Sequence, residues 1–230
     1  MINFSIIIPA FNEIENLKIL IPEIYNSLKN EYYNFELIIV DDGSTDNTYK
    51  ILDNLKPRFP MNILKNKFNV GQSHSIINGI KISKNDIIVT MDGDCQNDPF
   101  DIPALLNLYV KKPNLKLVGG IRLNRKDSFS KKIASKFANR IRSVILNDGC
   151  VDTGCSLKVF DKNIFLKFPY FNGIHRFLPA LFKGYGYRTD FIEVNHRIRK
   201  YGYSKYGTFF RLIRGIIDMF KVINIIKNKN

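Results

Sequence analysis

With 230 residues the chain is long enough for one sizeable domain and short for two full ones, and its 45% hydrophobic and 24% charged residues are those of a globular protein. The formal charge of +14 points to a polyanionic partner, whether nucleic acid, an anionic membrane surface or a phosphorylated substrate, without saying which. No stretch approaches about 18 uncharged apolar residues, so none is expected to span a bilayer.

Met1-Ile2-Asn3-Phe4 leads straight into a strand, without the basic segment or cleavage site of a signal peptide. The first strand reads as Phe4 to Ile8, closed by Pro9, after which Asn12 is placed to cap a helix carrying Leu17, Leu20, Ile21, Ile24 and Leu28 at helical spacing. Phe35 to Val40 is the second strand, followed by a helix from near Thr45. Met61 to Leu64 is the third, leading through Asn69-Val70-Gly71 to a helix that ends near Ser83. Ile87 to Met91 is the fourth, with Pro99 and Pro103 opening the next helix. Leu115 to Val118 is the fifth, ending in Gly119-Gly120.

Strands alternating with helices predict an α/β fold, a mainly parallel central sheet with helices on both faces. After about residue 120 the alternation stops. A basic helix (Phe129 to Leu146), a strand near Ser156 to Phe160, a helix around Phe177 to Phe182, a strand near Tyr187 to Val194 and a helix from near Tyr206 follow. Residues 1–207 are read as one catalytic domain and 208–230 as an amphipathic helix, with Phe209, Leu212, Ile213, Ile216, Phe220 and Ile223 on one side. That helix either packs on the domain or lies in a membrane interface. Cys95, Cys150 and Cys155 lack metal spacing and read as reduced thiols of a cytosolic protein. His74, His175 and His196 also lack metal spacing and read as structural or surface residues, with His175 the one that could face an acceptor.

The chemistry concentrates at two strand ends. Asp92-Gly93-Asp94 follows the apolar run Ile87 to Met91, and Asp41-Asp42-Gly43-Ser44-Thr45-Asp46 follows Phe35 to Val40. In an open α/β sheet such ends share one crevice, and paired carboxylates there suit a divalent cation held against phosphates. Gln96 continues the spacing of Asp92 and Asp94 with a neutral oxygen. Arg122, Arg125, Lys126, Lys131, Lys132, Lys136, Arg140 and Arg142 make the stretch after the fifth strand strongly basic.

Ile7-Ile8-Pro9-Ala10-Phe11-Asn12-Glu13, Asp41 to Asp46 and Met91 to Pro99 together resemble family 2 glycosyltransferases of the GT-A fold. Gly120-Ile121-Arg122, Ser135 to Asn139, Asp152 to Lys158 and Arg199 to Gly207 resemble the branch of dolichol-phosphate mannosyltransferases and bacterial polyprenyl-phosphate glycosyltransferases. The resemblance implies that Pro9, Phe11, Glu13, Ile39 and Asp41 surround the nucleoside, with Met91 and Gly93 lining the same pocket. Asp92, Asp94 and Gln96 would hold Mg²⁺ or Mn²⁺, and Arg122, Arg199 and Lys205 would meet donor or acceptor phosphates; Asp94 and Arg122 are the residues expected to act in catalysis. Phe11 stands for a frequent tyrosine, and Lys136 for a frequent arginine, which keeps the charge and loses the bidentate fork.

The implied reaction is metal-dependent, inverting transfer of a sugar, mannose or glucose, from a nucleotide-diphospho-sugar to a polyprenyl phosphate at the cytoplasmic face of a membrane. A phosphate monoester acceptor is already ionised near neutrality and needs no general base. The alternative is a sugar-hydroxyl acceptor in polysaccharide assembly, although processive members of the family carry a Gln-x-x-Arg-Trp segment and this chain has no tryptophan. Nucleic-acid binding, suggested by charge alone, conflicts with carboxylates clustered at the crevice.

Overall fold

A computed structural model describes residues 1–30, 32–123, 142–202 and 208–229, with the backbone alone for 208–213. Seven strands form one sheet: β1 (Ile2–Ala10), β2 (Tyr33–Asp41), β3 (Asn62–Lys65), β4 (Ile87–Thr90), β5 (Leu115–Arg122), β6 (Lys158–Asp161) and β7 (Arg188–Val194), in the order β3-β2-β1-β4-β6-β5-β7. β3, β2, β1 and β4 are mutually parallel; β6 runs antiparallel to β4 and to β5, which pairs in parallel with β7. The sheet is therefore mainly parallel, as the alternation predicts.

Helices among the described residues include α1 (Ile14–Ser27), α2 (Thr48–Leu55), α3 (Gln72–Ile82), α4 (Ile102–Lys111), α5 (Lys162–Phe165), α6 (Leu178–Gly184) and α7 (Thr208–Lys227). Side chains alternate across the pleat, so each strand feeds two cores. Ile6, Ile8, Leu37, Ile39, Val89, Val118 and Val159 pack with α1, α2 and α4. Ile7, Ile38, Val40, Ile88, Leu117 and Phe160 pack with α3, α5, α6 and α7. Leu17, Leu20, Ile21 and Ile24 of α1 are fully buried at i, i+3, i+4, i+7 spacing, each contributing roughly 1.5–3 kcal/mol of burial.

Several local expectations need correction. β1 continues through Pro9 to Ala10. Ile7 C=O accepts from Met91 of the β4 side and Ala10 C=O from Asp42 of the β2 side, so the Pro9 nitrogen faces β4 beyond their last paired residues, Ile7 and Thr90. Asn12 does not cap α1. It sits at φ 54° and turns its side chain to the next strand end, accepting the Thr45 N–H at 2.8 Å and donating to Thr45 Oγ1 at 3.1 Å. α2 begins at Thr48, three residues later than expected, where Asp46 accepts the Thr48 N–H. β5 runs past Gly119-Gly120 to Arg122, because those glycines make room for β7: a Cβ on Gly119 would lie 2.9 Å from Phe191, and one on Gly120 would lie 2.8 Å from Val194.

α7 divides its apolar side: Ile223 packs on the core beside Val222, while Ile216 and Phe220 of that side face outward. Asp218, Met219 and Val222 are buried, while Ile216, Ile217 and Phe220 are exposed. The buried Asp218 carboxylate, 2.9 Å from Arg176, fixes the rotation of the helix. Phe209, Leu212, Ile213, Lys136, Lys205 and the other cations between 124 and 141 lie outside the residues whose side chains are described.

Candidate active site

β1 lies between β2 and β4, so the two acidic ends flank its C-terminus. Asp41 closes β2 opposite Ala10 and is fully buried. Its Oδ1 accepts the Ser44 N–H at 2.9 Å, while Oδ2 is buried and takes no hydrogen bond from the described residues. Its neighbour Asp42 has a different task. Asp42 Oδ1 accepts the Val70 N–H at 3.0 Å and the Asn66 amide at 2.9 Å, and Oδ2 accepts the Gly71 N–H at 2.9 Å. One carboxylate keeps an oxygen unengaged; the other pins the loop that enters α3.

After β4 the chain turns through Cys95, held at φ 62°. Asp92 Oδ1 accepts the Gln72 amide at 2.6 Å, and the Asp92 N–H meets Ser156 Oγ at 3.2 Å and Asn97 Oδ1 at 3.3 Å. Burial pushes the Asp92 carboxyl up, against the Ser156 hydrogen bond and the charges of Lys158 and Arg122. Burial, with the charge of Asp92 added, pushes Asp94 up to about 6; the Gln96 N–H at 3.1 Å and Arg199 at 3.6 Å pull the other way.

The segment leaving β7 lies along this turn. The Arg197 N–H donates to Gln96 C=O at 2.9 Å, and its guanidinium donates to the carbonyls of Cys95 (3.1 Å) and Asn97 (2.9 Å). Arg199 then pairs with Glu13 as well as Asp94, and Glu13 is steadied by the Asn16 amide at 2.6 Å. Both strand ends and the β7 exit therefore meet in one place.

Arg122 closes β5. Its guanidinium engages both oxygens of Asp152, and a Cβ on Gly154 would sit 2.6 Å from its Nη2. Lys158, buried on β6, donates to Cys155 C=O.

Most of the predicted site residues converge. Pro9, Phe11, Glu13, Asp41, Asp92, Asp94, Gln96 and Arg199 gather at the ends of β1, β2 and β4, and Arg122 acts electrostatically on Asp92 from β5. Ile39 and Met91 lie at the same strand ends with their side chains wholly buried in the core shared with α1. Gly93 is buried as well, with Pro9 C=O, Ile8 and Leu17 around its Cα. Lys205 lies outside the described residues.

His175 is half-buried, 2.7 Å from Ser73 Oγ, and burial with nearby Arg176 and Lys158 pushes it down to about 3. His196 Nε2 lies 3.4 Å from the Gln96 amide, nearer the site than its lack of motif spacing suggested. The three thiols are free and buried, with burial raising all of them, Cys95 and Cys155 to about 11. Gln72 had no sequence signal, since its partner Asp92 is 20 residues away on another element.

Asp92, Asp94 and the side-chain oxygen of Gln96 are hard oxygen donors. Burial and the neighbouring Asp92 charge together raise Asp94, and a divalent cation offsets both, so the residues fit Mg²⁺ or Mn²⁺. Among the described residues no group of three His, Cys, Asp or Glu could hold a metal by itself. An ion bound through two carboxylates would take its remaining ligands from phosphate and water.

Residues 5–168 match the family model described as glycosyl transferase family 2. The chain is 34% identical over 233 residues to the dodecaprenyl-phosphate galacturonate synthase of Rhizobium johnstonii, covering 99% of this chain and 68% of that one. It is 35% identical over 218 residues to the undecaprenyl-phosphate 4-deoxy-4-formamido-L-arabinose transferase of Proteus mirabilis, covering 94% and 66%. The chain thus spans about two thirds of the length of these curated relatives.

Among solved structures, glucosyl-3-phosphoglycerate synthase of Mycobacterium tuberculosis, in complex with Mn²⁺, UDP and glucosyl-3-phosphoglycerate, superposes with a TM-score of 0.73 at 16% identity. The match covers 97% of this chain and 80% of that one, a likeness of fold. The chain belongs to glycosyl transferase family 2 and has the GT-A fold.

Proposed function

We propose that this protein transfers a sugar from a nucleotide-diphospho-sugar to a polyprenyl phosphate, with Mg²⁺ or Mn²⁺ required. The observation that carries this reading is the half-buried pair Asp92–Asp94, set between the unengaged oxygen of Asp41 and the guanidinium groups of Arg122 and Arg199. Asp41 Oδ2 would accept an N–H of the base, beside Pro9 and the ring of Phe11. Asp92, Asp94 and Gln96 would hold the cation, which when bound neutralises charge on the diphosphate as it leaves.

Arg199 is held by Glu13 and Asp94 in a position to exchange those carboxylates for phosphate oxygens. Arg122, braced by Asp152, would offset the repulsion between an anionic acceptor and the anionic donor. Because the acceptor phosphate is already ionised, the chain needs to orient it and exclude water, not to remove a proton. In-line attack by that oxygen on the anomeric carbon inverts it.

The relatives named above act on galacturonate and on a formamido-arabinose. We assign the donor sugar to that group of modified sugars in place of the mannose or glucose expected from sequence.

No helix among the described residues is long and apolar enough to cross a membrane. The exposed Ile216, Ile217 and Phe220 of α7, beside exposed Arg214 and Lys221, suit peripheral attachment to an anionic, cytoplasmic leaflet. α7 in this reading packs on the domain with one face and meets lipid with the other.

The test is a screen of nucleotide sugars, UDP-galacturonate included, against a short polyprenyl phosphate with Mg²⁺ or Mn²⁺, products identified by mass spectrometry. Glycolipid formation that Asp94→Ala abolishes supports the reading. Full activity of Asp94→Ala, or transfer only to soluble oligosaccharides, overturns it.

A further inference from the structure

We propose that Gln72 is a positioning residue for Asp92, its amide engaging one carboxylate oxygen so that the other is presented to the cation. This rests on the metal-dependent reading above and assigns a role to a residue that reading does not use. Gln72 is the first residue of α3, and its Nε2 donates to Asp92 Oδ1 at 2.6 Å across the gap between α3 and the β4 exit.

The Gln72 backbone is fixed from both sides. Val70 and Gly71 just before it donate their N–H groups to Asp42, and Gly71 takes φ 92°, a left-handed conformation that glycine adopts at little cost. Ser73 just after it is fully buried, its Oγ accepting the Gly173 N–H at 2.8 Å and meeting His175 Nδ1 at 2.7 Å. A long side chain anchored on so rigid a turn arrives at Asp92 with one geometry.

The bland alternative is a half-exposed glutamine making an incidental contact at a helix start. Two features argue against it. The contact is short and well directed, Nε2 standing 2.6 Å from Oδ1 of a half-buried carboxylate, so removing the amide leaves that oxygen short of a donor. A primary amide also does this without bringing charge. A lysine there would compete with the cation, and a carboxylate would set a third negative charge beside Asp92 and Asp94.

The same turn links the two acidic ends: Asp42 holds its backbone and its first side chain holds Asp92. The distance between the nucleoside end and the cation end of the crevice is thus set through α3. Neighbours that orient metal ligands in this way typically change metal affinity or activity 10–100-fold when lost.

The experiment is a Mn²⁺ titration followed by electron paramagnetic resonance, with UDP or GDP present, on wild type, Gln72→Met and Gln72→Glu. Transfer rates as a function of Mn²⁺ concentration are measured on the same preparations. Gln72→Met keeps the length and removes the donor, and Gln72→Glu keeps the shape in case the first variant fails to fold.

The expected result is Mn²⁺ binding about 10–100-fold weaker in both variants. The Mn²⁺ concentration for half-maximal rate should rise by the same factor, with thermal midpoints near that of wild type. Binding within twofold of wild type in a folded variant overturns the positioning role alone. Wild-type protein that binds no Mn²⁺ with either nucleotide overturns the parent reading and this one with it.

Discussion

Arg122 and Asp152 meet edge to edge, with Nε 2.8 Å from one carboxylate oxygen and Nη2 2.7 Å from the other; the Arg122 N–H also donates to Asp152 at 3.1 Å. A planar fork held at both prongs points in one direction, and Gly154 leaves the space in which it lies. Arg122→Lys keeps the charge and loses the fork, and Asp152→Asn keeps the shape and loses half of the acceptor. Each is expected to lower kcat/KM for transfer about 10–100-fold, a loss of ~1.4–2.8 kcal/mol of transition-state stabilisation. Because both act through one guanidinium, the double variant should be little worse than the poorer single. Losses that multiply would show that the two residues act independently.

Asp94 carries a cost in the metal-free protein. Its folded pKa of about 6 lies above the ordinary 3.8, so between these values the native state holds a proton that the unfolded chain has released. Stability therefore falls as pH rises through that window and stays lower above it. Asp94→Asn removes the penalty. With EDTA present, urea unfolding at pH 7.5 should show the variant more stable than wild type, the gain disappearing near pH 4, while transfer activity is lost at both. A variant less stable than wild type at pH 7.5 would mean that the Gln96 and Arg199 contacts outweigh the burial of charge.

Apolar patterning made much of this molecule legible. Phe4 to Ile8, Phe35 to Val40 and Ile87 to Met91 are largely buried in a mainly parallel sheet and read as apolar runs broken only by Ser5, Glu36 and Thr90, and the acidic residues after two of them mark the crevice. What stayed hidden depends on contacts distant in sequence. Gly119 and Gly120 look like a turn, yet they serve the approach of Phe191 and Val194. The Ile216 and Phe220 stripe looks like a core face, yet the buried Asp218–Arg176 pair rotates it outward. Asp41 and Asp42 are adjacent and chemically identical, and the donors around each one alone decide which is structural.

That division of labour is testable by paired substitution. Asp42 satisfies two backbone N–H groups and the Asn66 amide, so Asp42→Ala leaves the Val70 and Gly71 N–H groups without their acceptor, while Asn66 keeps Ser75 Oγ at 3.0 Å. At roughly 1–3 kcal/mol for a buried unmet group, a loss of about 2–4 kcal/mol is expected in chemical denaturation, with faster amide exchange at Val70 and Gly71. Asp41→Asn retains an oxygen for the Ser44 N–H and should unfold close to wild type, while its affinity for nucleoside diphosphate falls about tenfold or more. Equal destabilisation by both would erase the distinction between them.

The outward face of α7 makes the last prediction. Ile216, Ile217 and Phe220 are exposed, whereas Asp218 on the opposite side is buried against Arg176, so the apolar residues can be changed without touching the packing of the helix. Each side chain inserted at a lipid boundary contributes roughly 1–2 kcal/mol, and each nearby Lys or Arg adds about 1 kcal/mol on an anionic surface. In co-sedimentation with phosphatidylglycerol vesicles, Ile216→Ser combined with Phe220→Ser should weaken binding at least tenfold, with the thermal midpoint unchanged. Lys221→Gln is not an equivalent probe, because Lys221 also lies 3.4 Å from Asp218. Binding should drop in phosphatidylcholine vesicles and at high salt, since Arg214 and the +14 chain charge act only where the surface carries the opposite sign. Equal retention of the serine variant and wild type on the vesicles would remove α7 from the attachment surface.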